Sequence, residues 1–348
     1  MSPQAMSWGG DAADAIALRR RSIEAEYYDR IRRRSPAELA ADAAQRLDVA
    51  LGRLLFDTTT PALNHLLGRL RLRRARAARR LRPEDETENA PGFPGFAARG
   101  FIHLPGETFD ASLVAAIAAA AAERMEDDRH ALPTGQNLAR QERLFPGRVY
   151  ARRLIDPREI PEIEPLAGPK MRQIVEGCYR AHVAIVSVEC YRIYHVEPEV
   201  RRRIDAYSHW WHFDQRPVDI CKLFVNLTPV TPEDGPFTIA TIEASRRLLR
   251  SAPFRGRSDA DFELADRYWR EGAAAQLLGP PGSAMLCNTQ LCLHRAGVPA
   301  PGRHRDLLQL VFAASPRPLP DRWLAATDPI FGKRSRYHRP LQDARPVG

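Results

Sequence analysis

His212 and Asp214 stand two positions apart in SHWWHFDQ, residues 208–215. On extended backbone alternate side chains leave the same face, so an imidazole and a carboxylate at this spacing reach one cation. Such pairs are common by chance and gain weight only from a third donor. His294 supplies it, in CNTQLCLHRAGV, at the end of another strand-like run. Two histidines and one carboxylate on adjacent strands leave three adjoining positions open on Fe(II). That suits a bidentate 2-oxo acid together with O2. His209 competes as a ligand, but it lies three residues from His212 and five from Asp214 and fits alternation badly. It is read as a wall residue, and Trp210, Trp211 and Phe213 as core or cavity lining.

A 2-oxo acid held this way needs an anchor for its distal carboxylate. The planar fork of an arginine matches a carboxylate bidentately. Arg305, in GRHRDLLQLVF, lies on the strand after His294, and Arg303 is the alternative on the same strand face by parity. Lys222 lies within an apolar strand just past the His-Asp pair. Burying an ammonium without an acidic partner is costly, so it either faces a cavity and a co-substrate or stands at a strand edge facing water. Asn288 and Gln290 are further candidates to orient a carboxylate or a ligand.

Strands have to position these residues. HVAIVSVECYRIYHV, residues 182–196, is rich in β-branched and aromatic side chains. From there to about residue 315 the chain reads as strands and turns: VDICKLFVNLTPV, EDGPFTIA, GSAMLCNTQLCLH and RDLLQLVFAAS. One helical interruption is expected near 258–274, and another helix around 155–181. Upstream, Gly100 to Leu104 alternates like a short strand, and Asp110 or Ser112 caps an Ala-rich helix. The N-terminal part reads as helical. Ser35-Pro36 precedes one amphipathic run, and Thr60-Pro61 precedes a second with a stripe of Leu63, Leu66, Leu67 and Leu70. The acidic, Pro-containing residues 83–95 read as a linker. Three segments follow: a helical, Arg-rich extension with its linker over 1–90, a main domain over 91–320, and a tail over 321–348.

Composition narrows the classes. A chain of 348 residues with 44% hydrophobic and 27% charged residues is globular rather than disordered. No apolar run has the length of a membrane span. The first 20 residues lack the pattern of a secretory leader, and five dispersed cysteines give no CxxC pair. The expected compartment is therefore cytoplasmic. Only three of the 52 basic residues are lysines, so part of the net charge of +9 reflects an arginine-biased composition. Residues 1–100 still hold 18 arginines against 13 acids, and eight arginines fall within residues 69–82. That run reads as a solvated helix end whose arginine stems cover apolar surface. Peripheral contact with an anionic membrane is the alternative. Without aromatic interleaving or a nucleic-acid fold motif, a nucleic-acid partner is not expected.

From residue 96 to 315 the chain resembles the phytanoyl-CoA dioxygenase family of Fe(II)/2-oxoglutarate-dependent oxygenases. ARGFIHLPGETFDASLVAAI is similar to the strand-then-helix opening of that family. WHFD followed by KLFVNLTPVTPEDGPF resembles its metal-binding strand and the strand and turn after it. GSAMLCNTQLCLHRAG, with Arg305 on the strand that follows its histidine, resembles the third-ligand region. The resemblance implies a double-stranded β-helix (a jelly-roll barrel) with flanking helices. It further implies His212, Asp214 and His294 as Fe(II) ligands, Arg305 as the 2-oxoglutarate anchor, and hydroxylation of a small or medium organic substrate. Asp214 speaks for hydroxylation or desaturation, because halogenating relatives replace that acid. Ala296 stands where members often carry a serine that helps hold 2-oxoglutarate. ATIEASR replaces the usual PGSH, and residues 1–90 match nothing in the family. The competing readings are the same chemistry on a lipid-linked substrate, and a non-catalytic barrel binding an anionic partner through the N-terminal arginines.

Overall fold

The structure is a computed structural model that describes residues 36–79, 93–126, 132–134, 152–251, 254, 265 and 272–324. Its helices are α1 (Pro36–Phe56), α2 (Ala62–Arg79), α3 (Phe93–Arg99), α4 (Ala111–Met125), α5 (Ile163–Leu166), α6 (Pro169–Tyr179), α7 (Pro198–Arg203) and α8 (Ile242–Ser251). The strands are β1 (Phe101–Leu104), β2 (Leu132–Thr134), β3 (Arg152–Ile155), β4 (His182–Tyr194), β5 (Ile220–Asn226), β6 (Thr238–Ala240), β7 (Ala274–Gln276), β8 (Ala284–Cys287), β9 (His294–Arg295) and β10 (His304–Ser315).

Two antiparallel sheets face each other. The larger runs β1-β8-β5-β10-β4-β3-β2 and the smaller β7-β6-β9, with His212 bridged to His294 on the outer side of β9. From β4 onward the chain passes from the large sheet to His212 at the small one, and back to β5. It then crosses to β6 and β7, back to β8, across to β9 and back to β10. That alternation is the winding of a double-stranded β-helix, as expected. The expected strand around WHFD, by contrast, shrinks to the single bridge at His212. Trp211 and Phe213 bury instead in a separate cluster with Ala244, Leu248 and Phe254, and that packing overrides a regular ladder.

The long strands β4, β5 and β10 are buried on both faces because each face meets a different layer. Leu223, Val225, Leu308 and Leu310 point outward into a core completed by Val114, Ile117 and Ala121 of α4 and Met171 and Val175 of α6. Phe224, Leu307 and Tyr191 point inward, toward Phe237 and Ile239 on the side of the small sheet. Each fully buried large aliphatic contributes roughly 1.5–3 kcal/mol relative to exposure. Asp110 caps α4 by accepting from the Leu113 N–H at 2.9 Å, as its sequence position suggested.

A further departure from the sequence reading is a helix. Helix α8 occupies a stretch expected to be strands and turns. Thr241 starts it, its hydroxyl accepting from the Ala244 N–H at 3.1 Å, and Ala244 and Leu248 bury one turn apart. The helix expected near 258–274 falls almost entirely outside the described residues, as does most of the acidic linker. In α2, the leucine stripe faces solvent. The buried side consists of Ala62, His65, Gly68 and Ala75. A Cβ added at Gly68 would lie 2.6 Å from the Val218 nitrogen, so the helix approaches this closely only with glycine at that point. Of the C-terminal tail, residues 321–324 are described: the Trp323 indole donates to the Glu164 carbonyl at 3.1 Å.

Candidate metal centre

The backbone brings the two histidines together. His212 N–H donates to the His294 carbonyl, and His294 N–H to the His212 carbonyl, both at 3.0 Å. The imidazole rings then lie 4.2 Å apart between centroids. Asp214 is placed by its N–H donating to the Thr289 carbonyl at 3.0 Å. Its own carbonyl accepts from the Thr60 hydroxyl at 2.9 Å. One atom each of His212, Asp214 and His294 falls within a 4.8 Å cluster, the one such group of three His, Cys, Asp or Glu among the described residues.

Hydrogen bonds orient the donors. His212 Nδ1 meets the Trp210 carbonyl at 2.7 Å, and His294 Nδ1 the Cys292 carbonyl at 3.2 Å. A carbonyl only accepts, so Nδ1 carries a proton and Nε2 is the atom each ring would offer a metal. Those Nε2 atoms lie 3.9 and 3.8 Å from the Asp214 carboxylate oxygens. Lys222 Nζ stands 2.6 Å from Asp214 Oδ2, and the Thr289 hydroxyl donates to the same oxygen at 2.7 Å. Burial pushes the Asp214 carboxyl up, but Lys222 and the two histidines push harder the other way and hold it well below the usual carboxylate range. Lys222 thus faces inward, and its side chain is only 13% exposed.

Arg305 lies deeper on the inner face of the large sheet and is 1% exposed. One terminal nitrogen donates to the Gly235 carbonyl, while Nε has no hydrogen-bond partner. No ion pair joins it to a described carboxylate, and burial lowers its pKa to about 10. Gly235 sits at φ +63°, and a Cβ there would come 2.3 Å from the Val298 carbonyl carbon, so the Asp-Gly turn reaches Arg305 only with glycine. Arg303 goes elsewhere. Its guanidinium pairs with Asp234 at 2.8 Å and Glu233 at 2.9 Å, and its side chain is 46% exposed.

The remaining candidates separate in the same way. His209 is a wall residue: its Nδ1 accepts from Ala206 N–H at 3.3 Å and its Nε2 donates to the Arg201 carbonyl at 2.9 Å. Asn288 builds a turn, its side chain accepting from the Gln290 and Leu291 N–H groups, both at 3.1 Å. Gln290 donates to the Thr289 hydroxyl at 3.2 Å. Thr289, between them, touches the Asp214 carboxylate and went unnoticed in sequence because a threonine in a turn carries no signal. Asn226 was missed too. It is 0% exposed, and neither side-chain amide atom has a hydrogen-bond partner. Its parity with Lys222 on β5 was the available clue. Thr58 and Thr60 also escaped notice, since their hydrogen bonds to the Gln290 carbonyl join segments far apart in the chain.

No protein-family model matches the chain, and no curated protein does. Solved structures do show similarity. The epimerase SnoN from nogalamycin biosynthesis, in complex with Fe3+, α-ketoglutarate and nogalamycin RO, is 17% identical with a TM-score of 0.44, covering 78% of this chain and 93% of that one. EctD from S. alaskensis with bound Fe is 19% identical with a TM-score of 0.45, covering 66% and 79%. The non-heme α-ketoglutarate-dependent carbocyclase SnoK is 17% identical with a TM-score of 0.45, covering 76% and 95%.

Proposed function

We propose that this protein is an Fe(II)- and 2-oxoglutarate-dependent oxygenase of the phytanoyl-CoA dioxygenase type, hydroxylating an unactivated carbon of a small or medium organic substrate. One observation carries the reading. The barrel that gathers His212, Asp214 and His294 also buries Arg305 without any described carboxylate to neutralise it. Two imidazoles and a carboxylate are the donor set of oxygen-activating Fe(II) sites. A sealed guanidinium with an unpartnered Nε calls for an anionic, hydrogen-bonding ligand. A dicarboxylic 2-oxo acid answers both, with one end for the metal and a distal carboxylate for Arg305.

Bound ferrous iron would supply O2 activation coupled to oxidative decarboxylation of 2-oxoglutarate, giving succinate, CO2 and the oxidising power to hydroxylate a C–H bond. This chain's residues set the conditions. His212 and His294 offer Nε2 because backbone carbonyls hold their Nδ1 protons. Asp214 stays ionised through Lys222, and Lys222 and Thr289 together occupy its Oδ2. Arg305 holds the distal carboxylate, and the buried Phe224 and Phe237 rings, 4.3 Å apart with Phe237 5.8 Å from the His294 ring, give the metal side an apolar wall against water.

With ferrous iron, ascorbate and 2-oxoglutarate, the purified protein is expected to release succinate slowly without a primary substrate, and to bind about one iron per chain by elemental analysis. Equal release from His212→Ala would remove the metal assignment. Stimulation of that release by individual compounds identifies the substrate.

A further inference from the structure

Among the described residues, ten large hydrophobic side chains are exposed, and eight of them are leucines of α1 and α2: Leu47, Leu51, Leu54, Leu55, Leu63, Leu66, Leu67 and Leu70. Leu54 is 78% exposed, and Leu55 and Leu70 61% each. In each helix the four recur at spacings of three and four, hence on one face. Monomeric proteins rarely leave such a patch open without use for it.

The exposure is built in. The face of α2 turned to the barrel carries Ala62, His65, Gly68 and Ala75, and a Cβ at Gly68 would collide with the Val218–Asp219 backbone. Asn64 donates to the Gln215 carbonyl at 3.0 Å, Arg71 to Asp219 at 2.5 Å and Arg76 to the Tyr179 carbonyl at 2.9 Å. Rolling the leucines inward would break all three bonds and force larger side chains into the gap at Gly68.

The occupant follows from charge. α2 contains six arginines and no acid. By helical spacing Arg74 continues the leucine face toward the C-terminal end, with Arg71 and Arg73 at its borders, and Arg73 and Arg74 are exposed. Two copies meeting through this face would gather like charge. Lipid phosphates cancel it, while the leucines reach the acyl boundary and the arginine stems lie along it. Neither helix is long and apolar enough to cross a membrane, so the hairpin would lie in the interface plane.

We propose that the leucine face of the α1–α2 hairpin is a docking surface for an anionic membrane. This does not depend on the chemistry of the metal centre. The test is co-sedimentation of the full chain with phosphatidylcholine vesicles, with and without phosphatidylglycerol. Binding is expected with the anionic vesicles only and should fall as salt rises. The variant Leu54→Asp/Leu55→Asp/Leu67→Asp/Leu70→Asp should bind at least tenfold more weakly with an unchanged melting temperature, since all four side chains are exposed. Arg73→Glu/Arg74→Glu should also weaken binding. Absence of wild-type binding, or equal binding by the leucine variant, overturns the proposal. So does a wild-type dimer in sedimentation equilibrium that the leucine variant converts to monomer without any vesicle binding, because the occupant is then a second copy. Vesicle binding that appears only after residues 1–35 are deleted overturns it as well, because the face is then covered by the chain itself.

Discussion

Arg192 and Arg305 lie on neighbouring strands of the large sheet, both nearly sealed from water at 5% and 1% exposure, and they meet burial in opposite ways. Arg192 faces the outer, helix-covered side. It forks onto Asp306 with Nε–Oδ1 at 2.6 Å and a terminal nitrogen to Oδ2 at 2.8 Å, and Glu126 adds a further partner. Although burial opposes its charge, these acids hold its pKa above the usual value. Arg305 faces the inner side and has one backbone carbonyl. The acid beside it in the chain, Asp306, belongs to the other face, where it stands opposite Arg192 in the register. The outer face therefore settles this charge with acids of the protein, and the inner face leaves Arg305 without an ion pair to a described carboxylate.

The largest effect is expected where the inner face meets the small sheet. His212→Ala should abolish stoichiometric iron binding and bring succinate release to background. That loss exceeds the roughly 10–100-fold typical of removing a partner outside the metal's direct ligands. Elemental analysis and product assay check it together.

The two arginines should then dissociate. Arg192→Met leaves Asp306 buried without its fork and is expected to cost about 3–5 kcal/mol of stability, while the affinity of the folded fraction for 2-oxoglutarate stays unchanged. Arg305→Met removes a buried charge that pairs with no described acid and has one backbone carbonyl for a partner, so the melting temperature should hold or rise. Its 2-oxoglutarate affinity should fall on the order of 100-fold, within the roughly 2–5 kcal/mol typical of losing one side of a buried charge pair. Denaturant melts with and without 2-oxoglutarate separate the cases. If both variants fail in the same way, the distinction between the faces is gone.

Asn226 sharpens the comparison with a smaller effect. Its amide is buried on the inner face without a partner, so Asn226→Leu is expected to raise ligand-free stability by about 1–3 kcal/mol and to weaken 2-oxoglutarate binding several-fold. Unchanged binding would make the amide a tolerated defect rather than part of the pocket.

The smallest effect concerns His65 on α2, whose Nε2 is also buried without a partner. Burial and nearby arginines depress its pKa to about 4, so it survives by giving up its proton, which a guanidinium at neutral pH cannot do. The unfolded chain binds that proton first. His65's contribution is thus fully present above about pH 6.5 and lost toward pH 4, at up to ~1.4 kcal/mol per pH unit. Denaturation at pH 7 and 5 should show a smaller acid loss in His65→Leu than in the parent.

Much of this was legible before folding, because local patterns carry it. β-Branched and aromatic content announced β4, the strand-like runs after it announced β5 and β10, and Asp110, one of two cap candidates, announced α4. The spacing His212-x-Asp214 with His294 downstream announced the donor cluster. The errors have physical causes. The aromatic WHFD run was read as a strand, but Trp211 and Phe213 found burial against α8 instead of a ladder. The stripe of Leu63, Leu66, Leu67 and Leu70 carried no orientation of its own, and the close approach at Gly68 turns it to solvent by admitting only the opposite side of α2.

The amino-acid sequence by itself determined which chemistries were available: two imidazoles and a carboxylate in order, an arginine on the strand after them, and a paired run of leucines and arginines. Only the tertiary structure decided how those groups are used. Sequence parity put Arg303 and Arg305 on one strand face, but the strand begins at His304. Arg303 therefore falls outside it, among Glu233 and Asp234, while Arg305 is carried into the barrel without an ion pair to a described acid. The reason is that a charge's role depends on which partners surround it once water is removed. Those partners come from strands and turns far apart in the chain, among them Gly235, Thr289 and Thr60, which no local pattern brings together.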